Sequence, residues 1–213
     1  MSVLYQLSIQ TYDRTSGSLP LACRRLIQDH QKIAPAGATG PLPTVGQTGS
    51  VAELATVDLG SSVAVMRRAE ARDLPAIVDL LAADQLGATR DGVRTPEDLV
   101  AYQQAFHAID SDSAHLLVVA EADAEIVATF QLSFLPGLAR RGALRAQIEA
   151  VRVREDYRGC GLGEAMMAWA IDEARRRGCA IVQLTSDKSR HAAHRFYGRL
   201  GFVATHEGMK LRL

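Results

Sequence analysis

Residues 149–163, EAVRVREDYRGCGLG, place a carboxylate, an arginine and three closely spaced glycines just ahead of a patterned helix. Gly159, Gly161 and Gly163 have no side chains, so ligand atoms can approach their backbone closely and unusual dihedrals cost little. The free N–H groups at a helix start attract a phosphate, and Arg158 adds a side-chain donor for the same anion. The spacing predicts either a phosphate-binding loop or a tight strand-to-helix turn, which needs the same glycines.

Two familiar phosphate loops do not fit this stretch. A P-loop has Lys and then Ser or Thr after its last glycine, whereas Glu164 and Ala165 follow Gly163. A dinucleotide fingerprint reads G-x-G-x-x-G in a parallel βαβ unit near the start of a domain. Here the glycines are spaced G-x-G-x-G and lie late in the chain. Neither a nucleoside triphosphate nor a dinucleotide is therefore the predicted ligand.

The elements around the loop indicate a mixed α/β domain over residues 63–213. Period-2 alternation predicts seven strands, and 3.6-residue periodicity predicts four helices, in the order β-α-α-β-β-β-α-β-α-β-β. Asp73 is predicted to cap the first helix, and Thr95 followed by Pro96 the second. The segments HLLVVAEA and EIVATFQLSFL predict an antiparallel hairpin, and FVATH and MKLRL predict two closing strands. The fold class is thus α/β, with a largely antiparallel six- to seven-stranded sheet and about four helices.

Residues 1–62 form a predicted N-terminal extension. Alternation from Val3 to Ile9 indicates a short strand, Ser18 could cap a short helix, and residues 34–50 are rich in Gly, Pro and Thr, as linkers are. The extension is either an accessory strand and helix packed on the main domain or on a partner, or a flexible tail.

Composition narrows the function classes. The 24 Lys and Arg residues are balanced by 24 Asp and Glu residues, so the net charge is +0. Because a protein that binds nucleic acid usually carries an excess of positive charge, nucleic-acid binding is not expected. No apolar run is long enough to span a membrane, and the N-terminal residues do not have the pattern of a signal peptide. The three cysteines fit neither a disulfide framework nor a zinc site. We expect a soluble cytoplasmic protein without a metal.

The pattern R-x-x-G-x-G at residues 158–163, preceded by VRV and followed by a strand and HRFYGRLGF, resembles the GNAT superfamily of acetyl-CoA-dependent N-acetyltransferases. The resemblance covers residues 63–213, including the order of elements, and no part of residues 1–62. It implies that the strand before the loop diverges from the next strand and that the pantetheine arm of acetyl-CoA lies in the opening.

The resemblance also implies which residues bind the donor. The backbone of Val151 and Val153 would bond the pantetheine. The backbone amides of the loop would cradle the pyrophosphate; these belong to Arg158, Gly159, Cys160, Gly161, Leu162 and Gly163. Because the contacts use backbone groups, Cys160 is interpreted as a small loop residue and not as a nucleophile.

Acetyl transfer to an amine requires two proton transfers. An amine of pKa near 10 is mostly protonated at neutral pH, so a base or a water relay must remove a proton, and the departing thiolate needs a proton donor. Tyr197 matches the tyrosine that the family places beside the thioester sulfur and is predicted to be the general acid. A core aromatic beside Phe196 is the alternative for this residue.

Glu149 is the predicted general base. Period-2 spacing places it on one strand face with Val151 and Val153, where burial would suit a carboxylate to this role. An ion pair with Arg141 or Arg145 would explain the same residue without catalysis. The oxyanion would need a backbone N–H, for which that of Val151 is the candidate.

The sequence leaves the acceptor and the biological role open. The predicted acceptor is a primary amine on a small molecule or a protein, and a non-catalytic acyl-CoA-binding or sensing module is the alternative. The basic loop before the central strand, which contains Arg140 and Arg141, could border the pocket of an anionic acceptor or be simply solvated. A homodimer is compatible with the resemblance, and no residue pattern specifies one.

Overall fold

The computed structural model describes residues 52–83 and 87–211, which build one six-stranded sheet with helices packed on both faces. The expected strand at Val3–Ile9, the helix after Ser18 and the linker at 34–50 lie outside the described residues. The strands are β1 (Glu53–Asp58), β2 (Val63–Arg68), β3 (His115–Ala122), β4 (Glu125–Leu135), β5 (Arg145–Val153) and β6 (Ile181–Leu184). The main helices are α1 (Leu74–Ala82), α2 (Pro96–Ser111), α3 (Leu162–Arg176) and α4 (His191–Arg199). Single helical turns lie at Ala71–Asp73, Ala139–Gly142 and Glu155–Tyr157.

The strands follow one another across the sheet in chain order. Every pair from β1 to β5 is antiparallel, and β6 pairs with β5 in parallel through the crossover made by α3. The β3–β4 connection is a tight turn in which Asp123 and Ala124 take positive φ values of 52° and 63°, as a two-residue hairpin requires. The predicted α/β class, the largely antiparallel sheet and the hairpin are confirmed.

Two apolar layers hold the helices on the sheet. On one face, Met166, Met167 and Ala170 of α3 are fully buried in a cluster with Phe130 and other strand residues. On the other face, side chains from α1 and α2 cover Leu117 and Val119 of β3. Polar side chains also occur on this second face of the sheet, so it is the face whose side chains could take part in catalysis.

Both predicted cap residues directly precede their helices, but only Thr95 makes a capping hydrogen bond. Thr95 Oγ1 accepts a bond from the Asp98 N–H at 3.3 Å, and the Asp98 carboxylate accepts one from the Thr95 N–H at 2.9 Å. This reciprocal capping box confirms the start of α2. Asp73 does precede α1, but its side chain makes no capping bond to that helix. It binds Arg67 and the Glu70 N–H instead.

Three elements differ from the sequence-based expectation. β1 was not predicted, and it lies within the residues assigned to the extension. The predicted closing strand FVATH is wrong, because residues 202–211 contain no strand, and the described part of MKLRL, residues 209–211, forms none either. Phe202 packs on the Tyr197 ring and its N–H bonds to the Tyr197 carbonyl, whereas Val203 is 77% exposed. An alternating pattern forms a strand only where a neighbouring strand pairs with it.

Candidate active site

An opening lies beside the second half of β5. The register between β5 and β6 ends at the pair Ile148–Leu184, so residues 149–153 pair with β4 on one side and with no described strand on the other. The Arg154 N–H donates to the Val127 carbonyl at 2.8 Å, so even-numbered residues here turn their backbone groups to β4. Because these groups alternate along a strand, those of Val151 and Val153 face the opening.

A β-bulge at Ala150 changes which side chains share a face. Ala150 has a φ of 54°, and the register skips one residue here, opposite Phe130. Beyond the bulge, Val151 and Val153 pack in the same cluster as Ile148, which an unbroken alternation would forbid. Glu149 lies on the other face and is exposed. The predicted shared face of Glu149 with Val151 and Val153, and its burial, are therefore wrong.

The glycine loop provides open backbone at the start of α3. Gly159 and Gly161 have φ values of 83° and 89°, and a Cβ built at either residue would meet no atom within 4 Å. Gly161 directly precedes α3, whose first N–H groups have no carbonyl partner within the helix. Leu162 is fully buried and anchors the loop. Cys160 is exposed, and its thiol donates to the Tyr157 carbonyl at 2.9 Å.

Two arginine side chains bond to the carbonyls that face the opening. Arg158 Nε donates to the Val153 carbonyl at 3.0 Å, and Arg152 Nη1 donates to the Val151 carbonyl at 2.9 Å. Sequence reasoning missed both contacts, because a side-chain bond to a backbone carbonyl leaves no residue pattern. A ligand that bonds to either carbonyl must share it with an arginine or displace that arginine.

Tyr197 lies on α4 where this helix packs on the start of α3. A Cβ on Gly163 would lie 3.6 Å from Phe196 Cζ, so the residue next to Tyr197 reaches the glycine loop. Burial raises the pKa of Tyr197, and the charges of Arg190 and Arg152 oppose part of that rise. The structure thus brings Tyr197 into electrostatic range of Arg152 on β5.

Arg140 and Arg141 are exposed on the turn that precedes β5. This turn lies at the end of β5 remote from the glycine loop, and both residues have positive φ values, 55° and 60°. The opening lies at residues 149–153, at the other end of β5, and no contact with the described residues assigns Arg140 or Arg141 to it.

A cavity of about 730 Å³ lies elsewhere, between α1 and the β3–β4 hairpin. Its walls include Arg67, whose guanidinium lies 2.6 Å from Asp73 and 2.7 Å from Glu121. Burial raises the pKa of Asp73, but hydrogen bonds from Arg67 and the Glu70 N–H, with the arginine charge, hold it below its usual value. These charged groups pair with one another, and none of the predicted site residues lines the cavity.

Within the described residues, no group of three or more His, Cys, Asp or Glu side chains is arranged to hold a metal ion. None of the helices in these parts of the chain has both the length and the apolar character needed to cross a bilayer.

Comparison with known protein families places the chain in one of them. The model of the acetyltransferase (GNAT) family matches residues 75–202, which include all of α1 but its first residue, the whole of β5, the glycine loop and Tyr197. The matched segment is more than half of the 213 residues.

Two curated relatives match shorter segments. The aminoalkylphosphonate N-acetyltransferase of Salmonella typhimurium is 37% identical over 60 residues, which are 28% of this chain and 39% of that protein. The glucosamine 6-phosphate N-acetyltransferase of Trypanosoma brucei brucei is 36% identical over 88 residues, which are 41% of this chain and 58% of that protein. The chain thus spans less than two thirds of the length of both relatives.

Solved structures match over a longer range. A transcriptional regulator from Bacillus halodurans C-125 is 42% identical, with a TM-score of 0.67 over 70% of this chain and 99% of that one. A putative acetyltransferase from Agrobacterium tumefaciens is 29% identical, with a TM-score of 0.60 over 70% and 99% of the two chains.

Proposed function

The chain belongs to the GNAT acetyltransferase family, and on that premise we propose that it transfers an acetyl group from acetyl-CoA to a primary amine by direct attack. The observation that carries the proposal is the opening beside β5, where the β5–β6 register ends at Ile148 while the glycine loop continues from the same strand. Strand backbone and helix N–H groups thereby line one continuous path.

The donor site fits a pantetheine diphosphate. We assign the pantetheine arm to the backbone groups of Val151 and Val153, whose carbonyls it would share with Arg152 and Arg158 or take over from them. The open backbone at Gly159 and Gly161 leaves room for the pyrophosphate beside the first N–H groups of α3. Arg158, which now bonds to the Val153 carbonyl, can turn its guanidinium to the same phosphates.

The chemistry divides among three groups of this chain. Bound acetyl-CoA supplies the activated acyl group. Glu149 accepts a proton from the amine, directly or through water, and its exposure on the second face of the sheet leaves it open to an entering acceptor. The Val151 N–H donates to the acyl oxygen as negative charge develops there. Tyr197, whose phenol is protonated at neutral pH, delivers a proton to the departing thiolate.

The names of the two curated relatives suggest acceptors to test first. One relative is named for an aminoalkylphosphonate and the other for glucosamine 6-phosphate, and both acceptors combine an amine with a phosphorus-bearing anion. Arg152 and Arg190 act electrostatically on Tyr197, so positive charge lies near the proposed reacting centre. We therefore propose an acceptor screen that begins with phosphorylated and phosphonylated amines.

A second function is a non-catalytic acyl-CoA-binding module. It is favoured by one observation: the similar Bacillus halodurans protein, at 42% identity, is called a transcriptional regulator. In this role the glycine loop would hold acyl-CoA as a signal, and neither Tyr197 nor Glu149 would be needed for chemistry.

Replacing Tyr197 by Phe in the full chain separates the two functions. Phe keeps the ring packed against Phe202 but removes the proton donor, so we expect the acetyl-CoA Kd from calorimetry to change by less than about threefold while kcat, followed by thiol release, falls roughly 100-fold. Tyr157→Phe, which removes a hydroxyl from an exposed turn, is the matched control and should keep wild-type kcat.

Three other results would change these assignments. Wild-type kcat in Tyr197→Phe would remove this residue as the acid. Binding of acetyl-CoA by the wild type without thiol release for any amine would favour the acyl-CoA-binding module. Failure of the wild type to bind acetyl-CoA would reject both functions.

A further inference from the structure

A row of four polar side chains crosses the sheet on the face that also holds Glu149. His115 pairs with Ser133, Ser133 with Gln147, and Gln147 with Gln183, so one residue comes from each of β3, β4, β5 and β6. Directly paired residues of adjacent strands point to the same face of a sheet. We call these four residues the polar row.

Hydrogen bonds join the residues of the polar row in two pairs. His115 Nδ1 and Ser133 Oγ lie 2.8 Å apart, and Gln183 Nε2 donates to Gln147 Oε1 at 2.7 Å. Ser133 is almost fully buried, and the other three side chains are half-buried. Elsewhere on this face, Leu117 and Val119 are covered by apolar side chains of α1 and α2. The row is therefore a polar strip beside the apolar patch that α1 and α2 cover.

The polar row continues into the proposed catalytic strand. Gln147 precedes Glu149 by two residues on the same face, which places their Cα atoms about 7 Å apart along β5. Gln131, the cross-strand partner of Glu149, donates to Ser133 Oγ at 3.2 Å. Polar groups thus run without interruption from the proposed base to the polar row.

We propose that the polar row binds hydroxyl groups of the acceptor, so that the acceptor is a hydroxylated primary amine of amino-sugar type. This inference rests on the proposed acetyl transfer. The amide groups of Gln147 and Gln183 each offer both donors and acceptors, as hydroxyl groups do, and neither carries a charge. Because Gln147 and Glu149 are about 7 Å apart along β5, an acceptor whose amine lies at Glu149 can place a ring hydroxyl near Gln147. The reaction forms the N–C bond, breaks the C–S bond and returns one proton to the thiolate.

The test compares two acceptors of similar ring size in the full chain. Glucosamine carries hydroxyls and cyclohexylamine carries none, and thiol release gives kcat/KM for each. Gln147→Met and Gln183→Met keep side-chain length but remove the amide. We expect each variant to lower the glucosamine-to-cyclohexylamine ratio of kcat/KM about tenfold, because each loses a hydrogen bond to the hydroxylated acceptor alone.

Controls identify a loss of folding or of donor binding. Gln103→Met changes an exposed glutamine on α2 and should leave the ratio unchanged. Calorimetry with acetyl-CoA should give the wild-type Kd for all three variants. An equal loss for both acceptors, or a wild type that prefers cyclohexylamine, would overturn the polar row as a hydroxyl site while acetyl transfer stands. Absence of thiol release with every amine would overturn both.

Discussion

Ala150 shows how one residue determines the geometry of the site. Its φ of 54° belongs to the left-handed region, which costs an alanine roughly 1–2 kcal/mol and is usually left to glycine. The bulge that it forms turns Val151 and Val153 toward the α3 face and leaves Glu149 on the opposite one. A backbone conformation thus separates the proposed donor contacts from the proposed base.

We expect Ala150→Gly to stabilise the protein by about 1 kcal/mol, because glycine adopts this φ without strain. The bulge is kept, so kcat should stay within about twofold of the wild type. Ala150→Val should lower both stability and kcat, since a β-branched side chain is poorly accommodated at positive φ. Chemical denaturation and thiol-release rates measure the two effects. Lower stability in Ala150→Gly would contradict the strain argument.

Glu149→Gln tests the proposed base. Loss of the carboxylate should lower kcat/KM roughly 100-fold for an alkylamine of pKa near 10, which needs deprotonation at neutral pH. The loss should be smaller for an amine that is already neutral at the assay pH. Glu97→Gln, an exposed acid at the start of α2, is the matched control. An equal loss for both amines would assign Glu149 to acceptor binding and not to proton transfer.

The glycine loop and α3 form the element on which donor binding depends. Its glycines are not equivalent: Gly159 and Gly161 have positive φ, whereas Gly163 does not. A Cβ on Gly163 would point at Val153 Cγ2 and Phe196 Cζ, each at 3.6 Å, which is an ordinary van der Waals distance. The third glycine therefore lies inside the first turn of α3 and faces the protein.

We expect Gly161→Ala and Gly163→Ala to behave differently. Gly161→Ala forces an alanine to a φ of 89° and should weaken acetyl-CoA binding at least tenfold by distorting the loop. Gly163→Ala should leave the Kd within about threefold and raise stability by up to about 1 kcal/mol through helix propensity. Calorimetry and thermal unfolding report the two quantities. An equal loss of affinity would mean that the ligand itself requires the third glycine.

At the scale of the whole molecule, the sheet depends on β1. This strand pairs with β2 from Glu53 to Asp58, and Leu54 and Val57 pack against the main apolar cluster. Residues 49–213 form a compact unit that includes it. The division between an extension and a domain at residue 63 stays a prediction, and truncation can test it.

A protein that starts at residue 63 should be less stable than one that starts at residue 49. Loss of β1 exposes the β2 edge and uncovers part of the apolar cluster, so we expect a cost of about 2–4 kcal/mol. Urea denaturation of the two proteins gives the difference. Equal free energies of unfolding would show that β1 contributes nothing to the domain and would support the boundary at 63.

The sequence by itself determined the features that depend on neighbouring residues. Helix α2 follows from the Thr95–Asp98 capping box, the hairpin from two alternating runs, and the glycine loop from three residues within five. These patterns follow the 3.6-residue period of a helix and the two-residue period of a strand, which show within a short stretch of sequence. They were sufficient for the fold class and for the family resemblance that the match to residues 75–202 confirms.

Only the tertiary structure decided the features that depend on residues far apart in the chain. The bulge at Ala150 is defined by the strand pairing opposite Phe130 on β4. The polar row forms because Gln147 pairs with both Ser133 and Gln183. The arginine bonds to the β5 carbonyls likewise depend on which groups are neighbours in the folded protein. The same holds for the closing strand, which is missing because no neighbouring strand among the described residues pairs with it. Strand register comes from pairing across the sheet, and a shift of one residue moves every side chain to the other face. A local sequence pattern carries no record of that register, so the face of Glu149 was settled by the fold.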